Sequence, residues 1–317
     1  MTSPINANSA ASVTSAATAT ALPTAPPAGD SDFDTAHEPA LPAALVPHAV
    51  QRLVNGEPDP AVTSDTVAAE VPVALVFNDI SHAVMMATPR DLHAFAVGFA
   101  LSEGVIDSLA DLRDIETRVT PADCDLPAGV QACEVHLDIS AGCFARLKEK
   151  RRSLAGRTGC GVCGIDSLQM LDLLPERVAQ QPWLATFGHA AIQRAMAAMP
   201  ALQQLNAEAG SLHAAAWATP DGEVTDVLED VGRHNALDKL LGKLALEKRL
   251  GTPGFVLMSS RASYELVRKC ARLDVPVLAT ISAPTALAIR IAEQAGLQLW
   301  GLCRGPRAVR YVPAVRS

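Results

Sequence analysis

From Ser211 to Cys303 the chain alternates between apolar runs of strand length and longer stretches with helical spacing, and this alternation limits the fold more than any other feature. Residues 211–218 and 223–228 read as strands joined by the turn Thr219-Pro220-Asp221-Gly222. A helix is expected over about 231–249, followed by strand 254–259, helix 262–273, strand 276–281, helix 284–295 and strand 297–303. Strands separated by helices pair through crossovers, so the pattern predicts an α/β fold with a parallel or mixed sheet covered by helices.

The preceding half predicts a smaller α+β part. Val71–Phe77 is a β-branched apolar run, and residues 83–87 suggest a second short strand. Thr88-Pro89 would open a helix, with Thr88 as N-cap and Pro89 in the first position. Leu92, Phe95, Ala96 and Phe99 recur at helical spacing, and Gly104 ends the run. Val135, Leu137 and Ile139 alternate with His136 and Asp138, as in a strand with one wet face. Residues 141–152 read as a basic helix, 158–165 as a glycine-rich loop, and 166–209 as mostly helical. This gives a division at 41–165 and 166–317, behind an Ala/Ser/Thr/Pro-rich segment, residues 1–40, expected to be disordered.

The first 50 residues hold four acids and neither Lys nor Arg, which fits no secretory or transit signal. Half of the formal charge of −8 sits there, so the folded body is only mildly acidic, which argues against general nucleic-acid binding. Apolar runs such as Val71–Phe77 are far too short to span a bilayer, so no membrane insertion is expected. Seven cysteines, an odd number, in a long chain without a signal point to the reducing cytoplasm rather than to a disulfide framework.

Cys160-Gly161-Val162-Cys163 therefore reads as chemistry or metal binding. Glycine on both sides of the pair permits unusual backbone angles and close approach of another group. Arg146, Lys148, Lys150, Arg151, Arg152 and Arg157 precede the thiols, and positive potential favours thiolate. Three other readings stay open on these residues alone: a merely solvated basic helix, half of a zinc site, and a thioredoxin-like dithiol. Cys124, Cys133 and Cys143 lack the spacing of a second zinc pair, so no metal is expected.

Three junctions share a second design. Glu229-Asp230-Val231-Gly232-Arg233-His234-Asn235, Ser259-Ser260-Arg261-Ala262-Ser263 and Ser282-Ala283-Pro284-Thr285 each lead from a strand into a helix through small, hydroxyl or basic residues. Helix N–H groups at such junctions either meet ordinary caps or face an anion. In a parallel sheet they line one edge, where α/β folds bind ligands. Leu302-Cys303-Arg304-Gly305-Pro306-Arg307 follows the last strand, and the final 16 residues hold four arginines and no acid. The expected ligand carries phosphate. His234 would touch it or donate a proton, although a histidine at a helix start is commonly structural. His213, inside an apolar strand, reads as a core histidine.

Four blocks together resemble the formate dehydrogenase accessory sulfurtransferase family, FdhD. They are Met85-Met86-Ala87-Thr88-Pro89-Arg90-Asp91-Leu92 through Ser102-Glu103-Gly104; Cys160-Gly161-Val162-Cys163-Gly164; Glu229-Asp230-Val231-Gly232-Arg233-His234-Asn235-Ala236-Leu237-Asp238-Lys239; and Ser260-Arg261-Ala262-Ser263-Tyr264-Glu265 through Ser282-Ala283-Pro284-Thr285-Ala286-Leu287-Ala288. The similarity covers about residues 66–312. It implies a cytidine deaminase-like fold, a homodimer, and sulfur accepted as a persulfide from a cysteine desulfurase. It also implies delivery to molybdenum bis-molybdopterin guanine dinucleotide destined for the catalytic subunit of formate dehydrogenase. Cys160 would carry the persulfide and Cys163 assist. Leu302, Cys303, Arg304, Gly305, Pro306 and Arg307, with Arg233, His234, Arg261, Ser282 and Thr285, would hold the cofactor. The second functional class is a cofactor-binding chaperone without obligatory sulfur transfer. Zinc deaminases need His-x-Glu and a later Pro-Cys-x-x-Cys; His213-Ala214-Ala215 supplies neither, which argues against deamination.

The chain departs from the family's usual pattern at Phe77-Asn78-Asp79 and at Ala209-Gly210-Ser211-Leu212.

Overall fold

The computed structural model describes residues 39–58, 63–121, 131–153 and 173–313. The expected disordered tail and the loop at 158–165 lie outside them, apart from residues 39 and 40. No helix among the described residues is long and apolar enough to cross a membrane.

The described chain begins with an arm. Strands β1 (Leu45–Val50), β2 (Leu53–Val54), β3 (Glu57–Pro58) and β4 (Thr63–Ala68) pair antiparallel, β1 with β4 and β2 with β3. No strand was expected here, because the arm lies largely open to water and so lacks an apolar alternation.

A four-stranded sheet follows, built from β5 (Val71–Phe77), β6 (Ile80–Ala87), β7 (Leu112–Pro121) and β8 (Gln131–Ile139) in the order β6-β5-β8-β7. Helix α1 (Leu92–Ser102) lies between β6 and β7 in the chain, and α2 (Ala141–Ser153) follows β8. Val73, Leu75 and Phe77 of β5 and Cys133, Val135, Leu137 and Ile139 of β8 pack with Leu92, Phe95 and Phe99 of α1 in one core. Strict alternation puts one face of each strand there. Asn78 and Asp79 both take positive φ, 45° and 63°, the conformation of a tight β5–β6 hairpin. The Asn78 side chain accepts from the Ile139 N–H at 3.0 Å and donates to Asp138 at 2.9 Å. The unusual Asn-Asp turn is thus fastened to β8.

The second half is close to its sequence expectation. After α3 (His189–Leu202) and α4 (Gln204–Ala209) come β9 (His213–Ala218), β10 (Val224–Asp230), α5 (Arg233–Leu246), β11 (Phe255–Met258), α6 (Tyr264–Arg272), β12 (Val277–Thr280), α7 (Ala286–Ala295), β13 (Gln298–Arg304) and β14 (Arg307–Val312). The sheet order is β10-β9-β11-β12-β13-β14. It is mixed: β11, β12 and β13 are parallel, while β9 is antiparallel to both β10 and β11, so β10 through β13 share one direction. Helices α5, α6 and α7 therefore all start at one edge. They cover one face of the sheet, and α3 covers the other.

The two sheets meet through α1 and α5. A Cβ on Gly98 would fall inside the Asp238 carbonyl, and one on Gly242 inside that of Ala94. Only glycine lets these backbones lie so close.

Two sequence expectations need correction. Thr88 does not cap α1, which starts at Leu92 with Asp91 in the left-handed region. All the polar groups of Thr88 are used elsewhere: its N–H donates to Asp230, its carbonyl accepts from Lys239, and its hydroxyl accepts from the Val231 N–H. Residues 173–188 are not helical apart from the single 3-10 turn Pro182–Ala185. Their backbone is held instead by α6 and α7, with the Val178 N–H on Ala295 O at 2.9 Å and the Ala179 N–H on Asp274 at 2.6 Å.

Candidate functional site

The three strand-to-helix junctions form one continuous edge. His234, at the start of α5, sets Nε2 2.8 Å from the Glu265 carboxylate and 3.4 Å from Ser263 Oγ, both at the start of α6. The Ser282 N–H donates to Ser260 O, and the Thr285 N–H to Ala262 O at 3.0 Å, which joins the α7 junction to that of α6. The Leu302 N–H donates to Ser282 O, and Arg304 reaches Ile281 O at 2.9 Å and Ser282 Oγ at 3.2 Å. His213 opens β9 at the same edge, opposite Asp230. Its burial, and then the nearby Arg233 charge, hold its pKa below the usual histidine range.

The caps differ along this edge. The Thr285 hydroxyl accepts from the Ala288 N–H, so α7 is conventionally capped. Gly232 and Ser263, the residues before α5 and α6, provide no side-chain cap. The positive dipole end of α5, which Gly232 leaves without a side-chain cap, therefore faces this edge. Arg233 adds a buried Nε with no hydrogen-bond partner, and Arg261 is exposed. Cys303 points into the core beneath α3, where burial raises its thiol to about 11. Gly305 and Pro306 turn the chain into β14, and Arg307 begins that strand, exposed.

The edge is held from beneath by residues that the sequence reading quoted only as motif. Lys239 and Asp230 pair at 2.7 Å, fully buried. Asn235 donates to Met86 O at 2.8 Å and to Asp230 at 3.0 Å, which brings the end of β6 beside the α5 junction. Glu229 accepts from the Leu205 and Asn206 N–H groups at the start of α4. Deeper along α5, Asp238 meets Lys269 at 2.9 Å and Ser102 at 2.8 Å, and Lys269 also reaches Glu103 at 2.8 Å. In sequence, Asn235, Asp238 and Lys239 look like the polar face of a helix that also carries Arg233, His234 and Lys243; their burial is what requires them to be paired.

Cys160 and Cys163 lie outside the described residues. The described cysteines, Cys133, Cys143, Cys270 and Cys303, are each at most 3% exposed. Burial raises the thiol pKa of Cys133, Cys270 and Cys303, which keeps them protonated and unreactive. Of the bases expected to favour thiolate, Arg146 is paired with Asp107 at 2.6 Å and Lys148 sits 4.4 Å over the Phe144 ring. Asp107, Asp111 and Cys143 bring three donor atoms within 4.8 Å of one another. Arg146 supplies positive charge there, and Asp111 already accepts from the Ser140 hydroxyl and the Ser108 N–H.

Comparison with known proteins agrees with the resemblance. The FdhD/NarQ family model matches residues 68–317. The chain is 55% identical over 262 residues to the sulfur carrier protein FdhD of Burkholderia cenocepacia, covering 83% of this chain and 92% of that one. It is 56% identical over 263 residues to the protein of the same name from Chromobacterium violaceum, covering 83% and 93%. A crystal structure of a protein described as a formate dehydrogenase accessory protein from Desulfotalea psychrophila superposes with a TM-score of 0.60 at 21% identity, covering 85% of this chain and 97% of that one.

Proposed function

This chain belongs to the FdhD/NarQ family, and from that premise we propose that it is a sulfurtransferase that carries sulfur as a persulfide on Cys160. The observation that carries this reading is the burial of the described thiols. Every described cysteine is buried, so a sulfur carrier must use a thiol outside them. The Cys160/Cys163 pair, set among glycines, is suited to the task. Cys160 thiolate attacks the outer sulfur of a cysteine desulfurase persulfide. A new S–S bond forms at Cys160, the donor's S–S bond breaks, and the donor cysteine leaves as thiolate. Cys163 assists.

The substrate that receives the sulfur is molybdenum bis-molybdopterin guanine dinucleotide, bound for the catalytic subunit of formate dehydrogenase. Its phosphates suit the edge formed by Arg233, His234, Arg261, Ser282, Thr285 and Leu302 through Arg307. The uncapped start of α5 and the partnerless Arg233 Nε support this placement. On the same reading the protein is a cytoplasmic homodimer, and its six-stranded sheet corresponds to a cytidine deaminase-like layout.

The test is to incubate the protein with a desulfurase and cysteine, then map the added sulfur by mass spectrometry. Sulfur on Cys160 is expected. A protein that stays unmodified yet still matures formate dehydrogenase would instead be a cofactor-binding chaperone.

A further inference from the structure

Two acid–base pairs link α5 to α6. His234 and Asp238 are four residues apart on α5, and Glu265 and Lys269 are four apart on α6, so each couple shares one face of its helix. Lys269 meets Asp238 at 2.9 Å, with both side chains at most 4% exposed. One turn nearer the anion edge, His234 Nε2 meets Glu265 at 2.8 Å, and these side chains are 27% and 24% exposed. The inner pair fixes the spacing of the two helices, and the outer pair opens to water.

A carboxylate is out of place at an edge suited to an anion. An acid in the first turn of a helix ordinarily serves the helix dipole, but Glu265 reaches across to α5. Ser263 Oγ lies 3.4 Å from the same ring nitrogen and 3.5 Å from the carboxylate. The hydrogen bond from His234 outweighs burial and holds the Glu265 carboxyl below its ordinary range. At neutral pH Glu265 is therefore ionised and can only accept, which places a proton on Nε2. The other ring nitrogen, Nδ1, points away from Nε2 and bonds no described residue.

The charged and titratable groups around the ring come from four elements. Arg233 on α5 and His213 on β9 oppose a positive ring, and Glu265 on α6 favours one, with Glu103 of α1 behind it. Asp230 is committed to Lys239. We infer that Glu265 is a positioning residue of the anion edge: it holds the His234 ring by Nε2–H and balances its charge, so that a doubly protonated ring presents Nδ1–H to an oxyanion such as a phosphate. The ligand in this inference rests on the phosphate-edge reading proposed above, but the pair does not. Glu265 makes no contact with the anion. Its charge alone would repel one, and His234 cancels that charge, so the two residues act as a unit.

The test uses the full chain as wild type, Glu265→Gln, His234→Asn and the double variant. Diethyl pyrocarbonate acylates only an unprotonated imidazole nitrogen, and peptide mapping follows it without any ligand. At pH 6.5, Glu265→Gln should speed labelling of His234 by about threefold, the scale of a partly exposed ion pair, while exposed His48 is unchanged. Glu265→Asp keeps the charge and should fall between the two, which keeps the question answerable if Glu265→Gln folds poorly. Calorimetric titration of GDP supplies the second readout. Glu265→Gln should weaken GDP binding by about threefold when His234 is present, and strengthen it in the His234→Asn background, where it removes a bare carboxylate. A residue that only stabilised α6 would act in the same direction in both backgrounds. That result overturns the inference, and so does labelling of His234 that is equal or slower in Glu265→Gln. Faster labelling in a protein whose wild type binds no GDP upholds the pair and removes the phosphate edge instead.

Discussion

Lys239 Nζ lies 2.7 Å from Asp230 Oδ2, with both side chains wholly shielded from water. The pair is also saturated with hydrogen bonds: Lys239 donates to Thr88 O and Glu229 O, and Asp230 accepts from the N–H groups of Thr88 and Gly232 and from Asn235. Charge this deep is tolerated because each ion has a partner.

Removing one partner strands the other. Lys239→Met should destabilise the protein by about 3–5 kcal/mol, and Asp230→Ala by a similar amount. The double variant should cost less than the two single losses combined, because the stranded charge is gone. Urea denaturation of the three variants measures this; additive losses would show that the pair does not act as a unit.

Gly98→Ala and Gly242→Ala each place a methyl group against a backbone carbonyl of the opposing helix. A backbone cannot rotate away as a side chain would, so α1 and α5 must separate. Overpacking of this kind typically costs about 1–3 kcal/mol, and a contact against backbone should fall at or above the top of that range. Thermal melts provide the measurement, with Gly142→Ala, which meets open space, as the control.

Glu103 gives the fold an acid-sensitive limb. Burial opposes its ionisation, but Lys269 and Arg268 outweigh that and hold its pKa at about 2. The unfolded chain takes up this proton near the ordinary value of 4.5, before the folded one does. The stabilisation is therefore complete above that value and is lost as pH falls towards 2. Glu103→Gln should flatten the stability curve over this range. Denaturant midpoints between pH 2 and 5 check the slope, and parallel curves would remove Glu103 as its source.

Cys160→Ala should abolish maturation of formate dehydrogenase while the melting temperature stays near that of the parent. Full activity in a folded variant would end the persulfide mechanism.

Arg304 and Arg307 should differ as ligand contacts. Arg304 is already engaged with Ile281 O and Ser282 Oγ, so Arg304→Ala should lower stability as well as affinity. Arg307 is exposed, and Arg307→Ala should weaken GDP binding roughly tenfold with little change in stability. Arg307→Lys keeps the charge but loses the planar fork, and should recover only part of the loss. Calorimetric titration decides, with equal affinity in all variants excluding this segment.

The second half of the chain was legible in sequence because burial of both strands and helices stamps period on residue type. From 211 to 303 every expected element was found, within a few residues at its ends. Thr88 misled for the opposite reason. Thr-Pro before an apolar run is a sound local signal for a helix start, but Asp230, Lys239 and Val231, more than 140 residues away, took its polar groups. The arm from 45 to 68 had no readable period because it buries neither face fully. Glu265 was quoted as motif, yet its bond to His234 follows from α5 and α6 starting side by side.

By itself, the sequence determined the strand–helix alternation of the second half, the one-sided strand at 135–139, the glycine-flanked thiol pair and the family. Each is written in local spacing or residue identity. Only the tertiary structure decided that Gly98 and Gly242 face each other, that Asp238 and Lys239 are buried pairs rather than a solvated helix face, and that Glu265 meets His234. These depend on which distant segments the two cores bring together, and a charged side chain has the same spelling whether it faces water or its counter-ion.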